Sequence, residues 1–314
     1  MNCDKPHSSE DDSQEDEVPV IEARHALSDE VHRLLKMVDQ HVADGGLALS
    51  RNRNPATQRQ FAEKYVAAYL ATRARPYYDE EKDTMDMCRY YGGIVDGAAI
   101  ADRKSLPPPP AYDALNQLLF GTYKHANRRI GLWAIIDRQP DGSLLCAYSG
   151  EPIESSDCCR LTKADEEHLV PQSWHKGSKT HPGTDMHQIF IVSKRANGSR
   201  GNLMFGPKPA TAEHGQNKAG GWVCCGLFHP HLNVGAVCRA TLYTMACYQD
   251  TFHRQYFPAE VMTWIQQTAA TVPVSVWERH RNAELFALQG NRNPFIDFPS
   301  WSIQLEFTKT FRHN

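Results

Sequence analysis

From Ser28 onward, apolar residues fall at Val31, Leu34, Leu35, Val38 and Val42, the spacing of one helical face. Ser28, with Asp29 and Glu30 behind it, reads as the start of that helix and Gly45-Gly46 as its stop. A second helix is expected from Thr57, where Gln60 completes a capping box. Phe61, Tyr65, Ala68 and Tyr69 form its apolar face, and Pro76 closes it. Both helices read as packing elements, with their tyrosines in a core. The run LPPPP (106–110) is a stiff extended break. Two strands about an Asp141-Gly142 turn are expected in GLWAIIDRQPDGSLLCAYSG (131–150). Further on, 234–248 reads as a largely apolar helix and 259–267 as another. Ser275 with Glu278 makes a capping box for a third, ended by Gly290.

The middle of the chain has a different rhythm. EEHLVP (166–171) predicts a short strand stopped by Pro171, and DMHQIFIV (185–192) predicts a second. A polar loop with Gly177, Pro182 and Gly183 lies between them. Ser193 caps a short helix from Lys194. His168 then sits on the first strand and Asn197 on the helix. Phosphodiester hydrolysis needs a base for water and a cation for developing oxygen charge. Histidine suits the base because its ordinary pKa leaves it mostly neutral near pH 7. A hard divalent cation takes carboxylate and amide oxygens, which Glu167 and Asn197 supply. Neighbours on a strand face opposite ways, so Glu167 and His168 share a site only where the strand twists or ends. On these residues alone, a capped surface histidine remains the competing reading.

Charge adds little. The chain has 314 residues and a formal net charge of -3. Residues 1–20 hold seven acids and one base, which leaves 30 acids and 33 bases in the rest. That remainder is weakly basic and permits a polyanionic partner without demanding one. The acidic tail reads as disordered and solvated. It has no basic n-region or apolar h-region, so it does not read as a secretory signal. No apolar run is long enough to span a bilayer. The nine cysteines include the vicinal pairs Cys158–Cys159 and Cys224–Cys225 and no C-x-x-C spacing. They read as free thiols, with a zinc-stabilised binding domain as the alternative.

Four ordered motifs resemble the endonuclease I family of non-specific nucleases. They are EHLVPQSW (167–174), DMH (185–187), NGSRGNLMFG (197–206) and QGNRNPFIDFP (289–299). The likeness covers about 131–299, with looser similarity from Tyr112. It implies an α+β fold, a His-Me finger (ββα-metal) core embedded in a mainly helical domain. It also implies one Mg²⁺ (or Mn²⁺ or Ca²⁺), 5′-phosphate products and DNA as substrate, with RNA also open and little sequence preference. His168 matches the family's general base, and Glu167 and Asn197 match its metal ligands. Asp185 and His187 are assigned to supporting the site from behind. Arg200 is assigned to a phosphate contact or an ion pair, and Asn202 to loop orientation or a phosphate contact. Trp174 and Phe205 are read as core, and Asn291, Arg292, Asn293 and Asp297 as a scaffold tying the C-terminal turn to the finger. Glu166 and His175 are left as ordinary solvated groups.

The likeness has gaps. Some relatives carry a leaving-group arginine in the loop after the base, yet none lies between His168 and Arg195. Lys176 and Lys179 are the substitutes there. The family is largely periplasmic or secreted, which the N-terminus does not match, so localisation is left open. The expected organisation is an acidic tail (1–20), a helical extension (21–105), the nuclease domain (106–307) and a short tail (308–314). The rival to a nuclease is a catalytically silent nucleic-acid-binding protein on the same scaffold.

Overall fold

The computed structural model describes residues 36, 55–96, 100, 107–153, 164–175, 182–211, 215–248, 250–307 and 311. The acidic tail, the helix expected from Ser28 (Lys36 apart), Cys158–Cys159, Lys176, Lys179 and most of 308–314 lie outside these residues.

Helix α1 spans Pro55–Arg73. Thr57 and Gln60 lie inside it, so the expected capping box does not form its start. Pro55 begins the helix instead: its φ is preset and it has no N–H to leave unpaired. Tyr65, Val66 and Tyr69 are buried, with Phe61 and Ala68 packed beside them. Helix α2, Glu80–Tyr91, was not anticipated. Asp79 caps it by accepting from Lys82 N at 2.9 Å, and three acids fill its first turn, where the helix dipole favours them. It buries Met87, Tyr90 and Tyr91.

The described part of the expected extension therefore shares one apolar core with the rest, from Tyr65 to Phe307. Polar ties reinforce this. Arg292 pairs with Asp83 at 2.8 Å, and Tyr91 donates to Asp297 at 2.8 Å. Even the proline run is anchored, by Trp301 Nε1 donating to Pro107 O at 2.7 Å.

Helix α3 is Tyr112–Thr122. The expected first strand of the 131–150 pair is a π-helix over Gly131–Ile136. A six-residue apolar run is equally compatible with a buried helical turn, and here burial all round decides. Arg138 and Tyr65 both donate to Trp133 O, at 2.8 and 3.1 Å, satisfying a carbonyl the wide turn leaves over. The Asp141-Gly142 turn does form, with Gly142 at φ 82° and Arg138 bridged to Leu144.

Strand β1, Ala164–His168, pairs antiparallel with β2, Ile189–Ser193, so that Glu167 faces Phe190 and His168 faces Ile189. Both are shorter than expected. β1 stops three residues before Pro171, and a 3-10 turn takes Met186–Gln188. Helix α4, Lys194–Arg200, follows, capped by the Ser193 hydroxyl accepting from Ala196 N. A second sheet has the order β3-β6-β5-β4: Met204–Phe205, Leu227–Pro230, Gly221–Cys224 and Gln216–Lys218.

Helices α5 (Val234–Cys247), α6 (Ala259–Thr271) and α7 (Val276–Gln289) complete the core. The Ser275–Glu278 capping box is present, and Gly290 ends α7 at φ 80°. The architecture is mixed α+β, with helices outweighing two small sheets. Among the described residues, no helix is long and apolar enough to cross a membrane.

Candidate active site

The strand–loop–strand–helix unit places its chemistry on two facing elements. Asp165 and Glu167, two apart on β1, point to one side of the sheet. Asn197 and Arg200, three apart on α4, form one helical face. The two faces interlock. Asn197 Nδ2 donates to Asp165 Oδ2 at 3.0 Å, and Arg200 donates to Glu167 Oε1 at 2.8 Å. Tyr148 OH also donates to Glu167 Oε1, at 3.0 Å. Among the described residues, no donor reaches Glu167 Oε2 or Asn197 Oδ1. Glu167 is 5% exposed. Burial raises its pKa, while Arg200 and the Tyr148 hydrogen bond pull it back.

Arg200 has its own role in the arrangement. Its guanidinium is 1% exposed and donates to Glu167, to the carbonyls of His168 and Leu169, and to Leu203 O. Phe205 stacks beneath it, 4.8 Å from the guanidinium carbon. Of the two assignments weighed for it, the buried ion pair is the one found. Four of its five N–H groups are engaged inside the protein, and the side chain is 1% exposed. One guanidinium thus holds the Glu167 carboxylate and the backbone of His168 together at the strand end.

His168 has Nε2 2.9 Å from Gly183 O and 2.9 Å from the Gln172 amide. The Gly183 carbonyl only accepts, so that contact is made with a proton on Nε2, whereas the Gln172 contact comes from its amide nitrogen, itself a donor, and competes for the same ring atom. With Nε2 donating to Gly183 O, the lone pair is on Nδ1. Burial lowers the pKa of His168, partly opposed by the Gly183 carbonyl. The same carbonyl accepts from Arg128 at 3.0 Å. Arg128 in turn pairs with Glu166 at 2.7 Å, and Trp133 Nε1 donates to Glu166 at 3.0 Å. Glu166 is therefore not a solvated group. It clamps the arginine whose partner orients the histidine. His175 is half-buried, its ring edge toward Phe252.

Asp185 and His187 lie behind this edge, fully enclosed. Asp185 accepts from Tyr243, Tyr248, Gln289 and His187 N. His187 lies 3.2 Å from Asn291 O and packs against Tyr243 with the rings tilted at 45°. Neither is exposed to solvent; together they seat the loop on α5 and α7. Arg281 adds to this by donating to Met186 O and Ile189 O, both at 2.7 Å. Asn291, Arg292 and Asn293 are buried and, with half-buried Asp297, hydrogen-bonded as a scaffold, and Arg292 is wholly enclosed. Trp174 stacks on Tyr256 at 4.5 Å, and Phe205 is buried. Asn202 is exposed in the turn after α4.

Burial pushes the pKa of His187 down to about 4. Its folded pKa is below its unfolded one, so its contribution to stability is complete above about pH 6.5 and is lost as pH falls toward 4. The amount is on the order of 3 kcal/mol. Urea unfolding at pH 7 and pH 4.5 should show this loss in the native chain and a smaller one in His187→Gln. Equal losses in both would refute it.

Tyr148, Asp165, Gln172, Arg128 and Arg281 went unnoticed in the sequence. Their partners are mostly tens of residues away, and no local pattern announces them. For the zinc alternative, Cys224 and Cys225 are adjacent, but no cluster of three His, Cys, Asp or Glu side chains suited to a metal occurs among the described residues.

None of the curated proteins is similar enough to count as a match. The family model for Endonuclease I matches residues 122–300, which takes in the unit described above and the scaffold behind it. That stretch is more than half of the 314 residues, and the chain belongs to the endonuclease I family of nucleases.

Proposed function

We propose that the protein is a metal-dependent endonuclease that hydrolyses phosphodiester bonds of DNA, with RNA as a second substrate, through a His-Me finger formed by β1, β2 and α4. The observation that carries this reading is the Arg200 bridge, which holds Glu167 and His168 at one strand end opposite Asn197. His168 is the general base: with Nε2–H donated to Gly183 O, Nδ1 takes the proton from the attacking water. Arg128 and Glu166 fix the carbonyl that sets this tautomer.

The residues fit a hard divalent cation. Glu167 Oε2 and Asn197 Oδ1 are oxygen donors left over after their other atoms are engaged. Asp165 and Glu167 against Arg200 leave the cluster one negative charge, which a dication and a phosphate would balance. A single Mg²⁺, or Mn²⁺ or Ca²⁺, held there with waters would supply charge stabilisation to the phosphorane and the leaving oxygen. Asn202, exposed beside α4, serves as a phosphate contact. Contacts made to the backbone give little sequence preference, and water attack at phosphorus with O3′ as the leaving oxygen gives products ending in 5′-phosphate.

Plasmid nicking tests this. Activity should appear with Mg²⁺ and vanish with EDTA. Glu167→Gln, which keeps the shape and removes the charge, should raise the Mg²⁺ concentration for half-maximal rate by about 10-fold or more. Nicking unaffected by EDTA would overturn the metal assignment. No cleavage under any divalent metal, with DNA still bound, would favour the silent scaffold.

A further inference from the structure

The outer face of α4 borders an open cleft of about 540 Å³, lined by Arg195, Gly198, Ser199, Asn217, Lys218 and Ala219. Asn197 of the candidate site lies between two of these positions on the same helix. We propose that this cleft is the track for the phosphodiester backbone of a nucleic-acid strand as it leaves the candidate site. The proposal rests on the nuclease reading and deepens it by assigning the binding surface.

Charge is the first argument. No carboxylate lines the cleft. Among the described residues, Arg128, Arg200, Arg239, Arg281 and Arg292 are all tied to carboxylates. Arg195 and Lys218 are exposed and have no such partner there. Exposed Lys194 and Lys208 flank them, with the Lys208 ammonium 5.4 Å from the Trp222 ring centre. Two unneutralised cations across an acid-free cleft suit a chain of phosphates.

Gly198 is the second argument. Glycine inside a helix costs about 1 kcal/mol relative to alanine. A Cβ here would meet nothing within 4 Å, so internal packing does not require the glycine. A glycine there leaves the helix surface open to close approach by an external backbone. The Ser199 hydroxyl, next along, offers a phosphate donor.

The far wall is held rigidly. Gly220, at φ 82°, turns the chain between β4 and β5 so tightly that a Cβ would come within 2.6 Å of the Ala196 Cβ. His231 N donates to Gly220 O at 3.0 Å, and the His231 ring lies 2.9 Å from Asn217 Oδ1. The hairpin bearing Asn217 and Lys218 is thus clamped on the helix bearing Asn197.

The test is fluorescence anisotropy of labelled duplex, single-stranded DNA and RNA with the full chain in EDTA, across a salt series. Arg195→Ala/Lys218→Ala should weaken binding about 10-fold. It should also flatten the plot of log affinity against log salt by about two charges' worth. Arg59→Ala/Lys64→Ala, which removes the same charge from exposed positions on α1, should leave binding as in the native chain. Gly198→Ala should weaken binding several-fold while its Tm holds or rises, the opposite signs expected of a contact surface. Equal effects of the two double variants would overturn the track. So would a Gly198→Ala chain that binds like the native one. Either result beside a native chain that still nicks plasmid leaves the nuclease reading standing. A native chain that neither binds nor cuts nucleic acid would overturn both.

Discussion

Replacing His168 with alanine is expected to slow Mg²⁺-dependent plasmid nicking by about 10²- to 10⁴-fold, the usual worth of a positioned general base. The fold should tolerate the change. His168 is the last residue of β1, and its ring hydrogen bond goes to a loop carbonyl, so the stability cost should stay near 1 kcal/mol. The metal requirement should be unchanged, because Glu167 keeps both Arg200 and Tyr148. A rate within several-fold of native would sink the mechanism. A rate lost together with the folded state would point instead to a structural histidine, which circular dichroism at the assay temperature separates.

Arg200→Met should have the largest effect on stability. The change removes the cation from a pair with side chains 1% and 6% exposed and leaves the Glu167 carboxylate buried alone. Breaking such a pair costs about 3–5 kcal/mol. Four acceptors lose their donor together, including the two carbonyls at the strand end. Glu167→Gln in the same chain should recover part of the loss, since a neutral amide needs no counter-charge. A double-mutant cycle by urea unfolding measures that coupling. If Arg200→Met left stability unchanged and weakened only DNA binding, the guanidinium would be a phosphate contact and the bridge would be wrong.

The legible parts of the fold are those set by local chemistry. The capping box at Ser275 and Glu278, the glycine stop at Gly290 and the Ser193 cap involve atoms only a few residues apart, so they can be read directly. The strand expected over the apolar run at 131–136 is a π-helix. Such a run looks alike in any buried element, and burial all round, with distant Tyr65 donating to Trp133 O beside nearby Arg138, goes with the helical form. Helix α2 escaped notice because its polar face dominates. Its buried residues find their partners on the C-terminal turn, where Tyr91 meets Asp297 and Asp83 meets Arg292.

The candidate site divides the same way. Glu167, His168 and Asn197 stand out in sequence because their residue types and spacing suit a base beside oxygen ligands. Family membership then follows from the longer match. Their chemical state is a different matter. The tautomer of His168 depends on Gly183, the carboxylate of Glu167 on Arg200 and Tyr148, and the clamp on Arg128 through Glu166. Each of these is a directional contact across a loop or between elements. Proton position and charge are set by which donor arrives within about 3 Å of which acceptor, and only the folded chain decides that.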